Sequence, residues 1–503
     1  MRLPFPERIS YTFVLIFAVV LCTIQVYQHT DPLFSLCCFS FIIVAAVAFN
    51  LAGGLSRPSG SFIFFFSVLA VIAGLCLKAF LGEPGDSNLS TPILTSEIYL
   101  GSICSMLVAV FISKRLTTKE ALLAGFVTDN NMQTATIGCL VTGVVIDVIT
   151  QLVSQGEGTF LSALRQVNRF YPMVVFLGTI HAIRRSGGTR SISFPVLLAG
   201  GLMFVEGVLG FSKEGMITPG VAWVLAAASQ RYKVSGGQIA GMALAAAFLV
   251  HYLVPYSQYG RNFVTLSRTE NLRTSYSMLG NLETVRRDYE ESQSTDVDEQ
   301  LAQGYFNNHQ GFFDRLQMIG PDDSLIAFTE QGTVPGIAPV YLYFDNLVPH
   351  FIWKNKPNWG GGNLYARQMG FLAEDDNGTG ISFSPASEAF HLMRWTGTLI
   401  LLPILSIMLF TLFDSLCGDV RKSPWGLIVV LTFAHVAPEG GLGGMIYLMG
   451  YATIAILFAA ITATYLMPIL GEIVIGPKSK TVRFRDPVRI NPRETIASRS
   501  SAS

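Results

Sequence analysis

Three basic side chains, Lys354, Lys356 and Arg367, lie within fourteen residues of the longest hydrophilic segment of the chain. That segment, 257–394, is acidic overall, with 17 carboxylate and 10 basic side chains. A planar guanidinium matches phosphate oxygens, and an ammonium adds a mobile positive charge. The trio therefore predicts a local positive pocket for an anionic ligand, such as one that presents phosphate oxygens. A solvated surface patch is the alternative.

Aromatic side chains accompany these cations. Trp353, Trp359 and Tyr365 could form platforms on which sugar rings stack. The alternative is that they anchor the segment at a membrane interface, where tryptophan and tyrosine are enriched. Both interpretations require rings that reach the surface of the protein.

A carboxylate and an imidazole follow, where the chain returns to apolar sequence. Glu388 and His391 are three residues apart at the start of a predicted helix, so they can face the same way. Either group can act as a general base at a membrane–water boundary, and the two are the candidate catalytic residues. An acid in the first turn after Ser384 and Pro385 also interacts favourably with the helix dipole, so a structural role for Glu388 is the alternative.

Ionisable side chains also occur in or beside the apolar segments. A charge at the centre of a spanning helix costs about 2.5–3.5 kcal/mol, so such residues usually face the interior of a bundle. A polar cavity that opens toward the hydrophilic segment would account for four of them: Asp147, Glu206, His251 and Glu439. Arg165 and Arg169 could line the same cavity and hold an anion. Interhelical hydrogen bonds are the alternative explanation.

The elements that must position these residues are membrane-spanning helices. The 503 residues are 50% hydrophobic and 14% charged, whereas soluble domains carry about 25% charged residues. A spanning helix needs about 20 apolar residues. The pattern predicts an all-α polytopic membrane protein with about twelve transmembrane helices and one large outer loop. The predicted spans are 9–27, 33–51, 62–81, 98–113, 134–153, 171–183, 192–211, 216–229, 239–254, 395–412, 425–437 and 445–470.

The basic residues predict the orientation of these spans. Arginine and lysine are enriched in cytoplasmic loops, and here they concentrate in alternate loops, such as those with Arg57, Arg184 and Arg421. Both termini should therefore be cytoplasmic and the hydrophilic segment periplasmic. The predicted organisation is a bundle of nine helices in 1–256, a large periplasmic loop in 257–394, three further helices in 395–470 and a basic cytoplasmic tail in 471–503.

Several common sites are missing from the sequence. No P-loop, GxGxxG unit, HExxH or GxSxG motif indicates a nucleotide site or a zinc or serine hydrolase. The seven cysteines contain no CxxC pair, which disfavours a disulfide framework or a zinc site. The net charge of zero does not indicate a nucleic-acid partner. We predict no metal ion and no cofactor, and a flexible turn at the glycines 360–362.

Two runs of the hydrophilic segment resemble the O-antigen and capsule repeat-unit polymerases of the Wzy type. PHFIWKNKP at 349–357 resembles the proline–tryptophan–lysine–proline loop segment of that family. GISFSPASEAF at 380–390, followed by WTGTLILL, resembles its small-residue stretch, glutamate and glycine-led helix. Arg367 and Gly378 match an arginine-ten-glycine spacing of some members. The residue-level similarity covers about fifty residues, and the predicted architecture is also similar.

The resemblance implies a glycosyltransferase of the bacterial inner membrane with a GT-C-like helical bundle. It would polymerise undecaprenyl-diphosphate-linked oligosaccharides into a surface polysaccharide, such as an O antigen, capsule or exopolysaccharide, and displace a lipid diphosphate without a metal ion. A chain-length regulator and a flippase in the same membrane would be its partners. The alternatives are a polysaccharide ligase of the O-antigen ligase type, a transporter or flippase for a lipid-linked sugar, and a non-catalytic assembly subunit.

On this interpretation, each candidate residue has a role. Glu388 would be the base or would orient the acceptor, and His391 is the alternative base. The rings of Trp353, Trp359 and Tyr365 would stack on sugars. The diphosphate would be bound by basic side chains: Arg367, Lys354, Lys356, Arg165 and Arg169.

Overall fold

Helices form most of the chain that the structure describes. The structure is a computed structural model, and it describes residues 1–152, 168–263, 268–295, 304–307, 316–332, 334–349, 352–353, 356, 361–374 and 380–475. The helices in these ranges are α1 (Tyr11–Tyr27), α2 (Pro32–Ala52), α3 (Pro58–Leu81), α4 (Pro92–Leu116), α5 (Met132–Leu152), α6 (Phe170–Arg185), α7 (Phe194–Leu209), α8 (Lys213–Ser229), α9 (Gly236–Phe263), α10 (Arg268–Gly280), α11 (Leu282–Thr295), α12 (Ile319–Gln331), α13 (Ala338–Asn346), α14 (Gly361–Gln368), α15 (Pro385–Cys417), α16 (Pro424–Glu439), α17 (Gly441–Tyr465) and α18 (Met467–Ile475).

The apolar runs of the sequence form helices of membrane-spanning length. Seven helices are long and apolar enough to cross a membrane: α2, α3, α4, α5, α9, α15 and α17. Three further apolar helices, α1, α7 and α16, are shorter. Each predicted span overlaps a helix among the described residues, and the last span overlaps both α17 and α18. The three shortest predictions fall on α6, α8 and α16. The predicted class, a helical polytopic membrane protein, is confirmed at this level.

The second part of the hydrophilic segment packs on the helix bundle. Helix α12 contacts the first turns of α15 and also α4. Its Leu325 and Ile326 side chains are buried, and so is Val340 of α13. These apolar contacts hold α12 and α13 over the ends of the long helices.

Two adjacent aspartates join α12 to the beginnings of two long helices. Asp323 accepts hydrogen bonds from the main-chain N–H groups of Ser90 (2.6 Å) and Thr91 (3.0 Å), directly before α4. Asp322 accepts from the Ser384 N–H (2.9 Å) and from the Ser387 hydroxyl (2.6 Å), at the beginning of α15. Carboxylates near helix N-termini satisfy N–H groups that have no partner inside the helix. Asp322 therefore fixes where α15 begins, and Asp323 fixes where α4 begins.

Burial shifts the pKa of the Asp322 carboxyl more than its hydrogen bonds do. It is fully buried and also accepts a hydrogen bond from the Tyr99 hydroxyl. Desolvation raises the pKa of the Asp322 carboxyl from 3.8 to about 6, although the hydrogen bonds from Ser384, Ser387 and Tyr99 oppose that rise.

The loops predicted to be cytoplasmic contact one another at one end of the bundle, which we call the basic end. There the Leu3 N–H donates to the Tyr232 carbonyl (3.0 Å), and the Val420 N–H donates to the Ser56 carbonyl (3.0 Å). Arg421 pairs with Glu7 near the N-terminus. The beginnings of α4, α15 and α17 meet at the opposite end, which we call the loop end.

Helix α15 is interrupted two turns after it begins. Met393 and Arg394 have non-helical backbone angles, and the φ of Arg394 is +50°. The predicted membrane entry, residue 395, follows this break directly. The turns that carry Glu388 and His391 therefore form a short separate piece of helix that precedes the long apolar one.

Candidate functional site

The Glu388 carboxylate lies where four helices meet. It is in the first turn of α15, which begins after the N-cap residue Ser384, and it is buried, with 4% of its surface exposed. Its Oε1 accepts hydrogen bonds from the hydroxyls of Tyr343 on α13 and Tyr365 on α14, the latter at 3.2 Å. Its Oε2 accepts from the N–H of Leu442, in the first turn of α17, at 2.5 Å.

The two phenols act as hydrogen-bond donors to this carboxylate. Burial, together with the negative charge of Glu388, raises the pKa of both Tyr343 and Tyr365 well above the usual value. Both hydroxyls therefore stay protonated at neutral pH. Because an ionised carboxylate has about four acceptor positions, most of those on Glu388 are already used by protein donors.

Glycines make the space around Glu388. The cavity beside it has a volume of about 380 Å³, and Tyr343, Tyr365 and Glu388 line it. A Cβ atom at Gly441 would lie 2.1 Å from Glu388 Oε2, and the φ of this residue is +58°. A Cβ atom at Gly361 would lie 1.9 Å from the Tyr343 hydroxyl oxygen. Only glycine lets α17 and α14 approach the carboxylate this closely. A flexible turn was predicted at 360–362. This prediction is wrong for Gly361 and Gly362, which form the first turn of α14.

A second cavity adjoins the first. It has a volume of about 470 Å³, and Arg169 and Glu214 line it together with apolar side chains of α8 and α16. Glu439 and Tyr447 line both cavities, so the two spaces meet at these side chains. His435 and Glu439 form an ion pair at the junction, with Nδ1 and Oε1 2.6 Å apart. The result is a cleft with the Glu388 carboxylate in one part, Arg169 and Glu214 in the other, and Glu439 at the junction.

Of the cations predicted to bind diphosphate, Arg169 is the one that lines this cleft in the described part of the chain. The Lys356 ammonium instead donates to the main-chain carbonyls of Asn346 (3.0 Å) and Val348 (2.7 Å), where it stabilises the end of α13. Arg367 is half-buried on α14 and does not line either cavity. Lys354 and Arg165 lie outside the described residues.

Of the three aromatic residues predicted as platforms, Tyr365 has no exposed ring face. The ring of Tyr365 is 1% exposed and packs edge-on against His391, with centroids 4.6 Å apart. A sugar therefore cannot stack on it, and its hydroxyl instead holds Glu388. Trp353 is 40% exposed and remains accessible to a ligand. Trp359 lies outside the described residues.

His391 faces away from the cleft. It is buried, its Nδ1 lies 2.8 Å from the Thr329 hydroxyl on α12, and it does not line either cavity. Glu388 and His391 were predicted to share a face of the helix. Both contact Tyr365, but only Glu388 lines the cleft. The imidazole has no path to a substrate in the cleft, so the alternative base is disfavoured.

Of the four ionisable residues that one polar cavity would account for, one lies at the cleft. Glu439 lines the cleft, but Asp147, Glu206 and His251 do not. Asp147 accepts a hydrogen bond from the Tyr171 hydroxyl on the neighbouring helix. The alternative, interhelical hydrogen bonding, therefore describes Asp147.

Two contributors to the site could not be recognised from the sequence. Tyr343 is one of several aromatics in an apolar run, and nothing in its spacing indicates a contact with Glu388. The Leu442 N–H is a main-chain group, although the glycines around it in PEGGLGG mark a special turn. Among the described residues, no group of three or more His, Cys, Asp or Glu side chains could hold a metal ion. Asp296 and Asp298 lie outside them.

Comparison with known proteins gives no match: no family model, no curated protein and no solved structure corresponds to this chain. The function must therefore be inferred from the chemistry of the cleft itself.

Proposed function

We propose that this protein is a membrane glycosyltransferase of the Wzy type, which polymerises lipid-diphosphate-linked oligosaccharides into a surface polysaccharide. The observation that carries the proposal is the composition of the cleft. It combines a buried carboxylate, a guanidinium and apolar walls at the ends of apolar helices. A sugar, a diphosphate and a polyprenyl chain are the three parts of such a donor, and each matches one of these surfaces.

Glu388 orients the acceptor sugar through Tyr343. The Tyr343 hydroxyl lines the cavity and donates to Glu388, so its oxygen can accept a hydrogen bond from an acceptor hydroxyl. As the acceptor oxygen bonds to the anomeric carbon, its proton passes to Tyr343 and the Tyr343 proton passes to Glu388. Positioned proton transfer of this kind contributes about 10²–10⁴-fold to a rate.

Arg169 stabilises the departing diphosphate. The bond between the anomeric carbon and the phosphate oxygen breaks as the new glycosidic bond forms, and its electron pair leaves with the lipid diphosphate. A guanidinium fork neutralises that charge without a metal ion. The apolar side chains of the second cavity, including Pro172, Ile217 and Val221, provide a surface for the first isoprene units.

The topology belongs to the same proposal. We propose twelve membrane crossings in a GT-C-like bundle of the bacterial inner membrane, with both termini cytoplasmic and the cleft on the periplasmic face. The helix found at each predicted span supports the number of crossings. The contacts among the basic loops at one end of the bundle, opposite the cleft, support the orientation.

Substitution of Arg169 tests the proposal. In a strain that lacks the native gene, Arg169→Ala should leave glycans of one repeat unit on the lipid carrier, because loss of one charge-stabilising donor costs about 10²–10³ in rate. Arg115→Ala, at an exposed position of the basic end, is the control, and membrane abundance is measured for both variants. Chains of normal length made by Arg169→Ala would contradict the assignment.

The same assay separates a polymerase from a ligase, which would use similar chemistry. Loss of a polymerase leaves single repeat units on the lipid carrier. Loss of a ligase leaves long polymer on that carrier, and this pattern in the Arg169 variant would favour the ligase.

A further inference from the structure

A third cavity lies far from the cleft, at the basic end. It has a volume of about 630 Å³ and is formed by α5, α6 and the connection between α6 and α7, a size typical of ligand-binding pockets. The Arg184 Nε in the last turn of α6 donates to the Gln230 side chain (3.0 Å), which in turn donates to the Arg421 carbonyl (3.3 Å). The cavity therefore belongs to the end of the bundle where the basic loops meet.

The lining of this cavity is cationic. Arg185 and Arg190 contribute guanidinium groups, Ser186 and Thr189 contribute hydroxyls, and no carboxylate is among the lining residues. The nearby acid, Asp129, is paired with Arg184 at 2.5 Å, so it does not neutralise the cavity.

The loop that carries the second arginine is held in place by its own hydrogen bonds. The Arg190 N–H donates to the Ser186 hydroxyl oxygen (2.9 Å), and the Thr189 hydroxyl donates to the Ser186 carbonyl (3.0 Å). The Arg185 Nη1 donates to the Gln133 side chain on α5 (3.3 Å). Two guanidinium groups are thus presented to one polar space by an ordered turn and a helix end, which favours a phosphate ligand.

An exposed apolar surface continues from the cavity. Ile192 lines the cavity and is half exposed, and Phe194 and Leu197 on α7 are 75% and 66% exposed. In a membrane these side chains face acyl chains. A ligand with a phosphate in the cavity and hydrocarbon along α7 would match both surfaces, whereas a free phosphate would match only the first.

We propose that this cavity binds the phosphate of an anionic phospholipid from the leaflet at the basic end, with its acyl chains along α7. The shared chemistry is a phosphate held by Arg185 and Arg190, and basic pockets between helices on the cytoplasmic side are suited to such headgroups. The site is separate from the proposed catalytic cleft, so it stands whether or not the chain is a polymerase.

Binding to purified, delipidated full-length protein in detergent tests the proposal. Native mass spectrometry measures the occupancy of phosphatidylglycerol and of phosphatidylcholine with the same acyl chains. The wild type should bind phosphatidylglycerol about tenfold more tightly than phosphatidylcholine, and Arg185→Ala/Arg190→Ala should lose about tenfold or more of that affinity. Both arginines are exposed, so the variant should remain monodisperse.

Two further variants provide controls. Arg115→Ala/Lys119→Ala removes the same charge from exposed positions at this end and should bind like the wild type. Arg185→Lys/Arg190→Lys keeps the charge and should retain part of the preference for phosphatidylglycerol.

Three results would overturn the inference. The first is equal binding of the two lipids by the wild type. The second is an equal loss of affinity in the two alanine double variants, which would indicate only general surface charge. The third is displacement of phosphatidylglycerol by millimolar inorganic phosphate, which would indicate a site for free phosphate rather than for lipid.

Discussion

Glu388→Gln is the substitution that best separates the chemistry of the cleft from its architecture. Glutamine keeps the shape of the side chain but removes its charge. Its amide oxygen can accept from the Leu442 N–H or from the two phenols, but not from both sides, because the other terminal atom becomes a donor. The phenols have rotatable hydroxyls and can reorient, so the side chain remains accommodated.

The loss in free energy of unfolding caused by Glu388→Gln can be estimated from the three hydrogen bonds of the carboxylate. A bond to a charged group contributes about 1.5–3 kcal/mol and a neutral one about 0.5–1.5 kcal/mol. With the middle of each range, losing the charge from all three bonds costs about 3–4 kcal/mol. Proteins of ordinary stability, about 5–15 kcal/mol, mostly tolerate such a loss. The rate per folded molecule should nevertheless fall about 10²–10⁴-fold, because the carboxylate can no longer accept a proton.

The assay compares polysaccharide chain length and membrane abundance in a strain that lacks the native gene. Asp414→Asn is the matched control. Asp414 is a buried carboxylate on the same helix, it accepts from the Ser59 N–H (3.0 Å) and hydroxyl (2.7 Å), and it lies at the far end of α15. The Asp414→Asn variant should lose about as much stability as Glu388→Gln but keep the wild-type rate per folded molecule.

Normal chain lengths made by Glu388→Gln at normal abundance would refute the proton-acceptor role. An equal loss of rate in Asp414→Asn would refute it in another way, because the effect would then follow from destabilisation of α15 as a whole.

Three further predictions concern the surroundings of Glu388 and the acid pair. Tyr343→Phe should lower the rate about 10²-fold with a small loss of stability, whereas Tyr99→Phe, which removes a buried phenol bonded to Asp322, should leave the rate per molecule unchanged. Gly441→Ala should cost about 1–2 kcal/mol for a left-handed backbone and should also lower activity, because its Cβ would collide with the carboxylate; unchanged activity and thermal stability would contradict the close approach. Because the pKa of Asp322 is raised from 3.8 to about 6, the folded protein holds a proton that the unfolded chain releases, so the free energy of unfolding should fall by about 3 kcal/mol as pH rises from about 3 to about 7. The difference in unfolding midpoint between wild type and Asp322→Asn should change over that pH range, and a constant difference would contradict the raised pKa.

The helices could be predicted because their signal is local. A run of apolar residues such as 33–51 must satisfy its main-chain groups internally in lipid, and it forms α2 (Pro32–Ala52). A helix boundary could be predicted where local residues mark it, as Ser384 and Pro385 do for the beginning of α15. The distant partner at that boundary could not, because Asp322 binds the N–H of Ser384 from sixty-two residues away.

The site could be predicted only in part for the same reason. Glu388 was recognisable as an acid at a helix start, and Arg169 as a cation beside an apolar segment. The hydrogen-bond donors to Glu388 come from α13, α14 and α17, and no spacing in the sequence relates these helices. Lys356 was misjudged because its carbonyl partners are main-chain atoms, which every residue has and which no residue type reveals.

The hydrogen bond from Leu442 to Glu388 also has a consequence for biosynthesis. Fifty-four residues separate the two partners, and ribosomes add about 5–20 residues each second. For roughly 3–10 s the carboxylate has been made but the N-terminus of α17 that holds it has not. During that interval Glu388 requires water or another donor, so the last helices must be inserted before the cleft closes. A stop codon directly before α17, which also removes α18 and the tail, should therefore leave a chain that quality-control proteases recognise, although most of its helices are present.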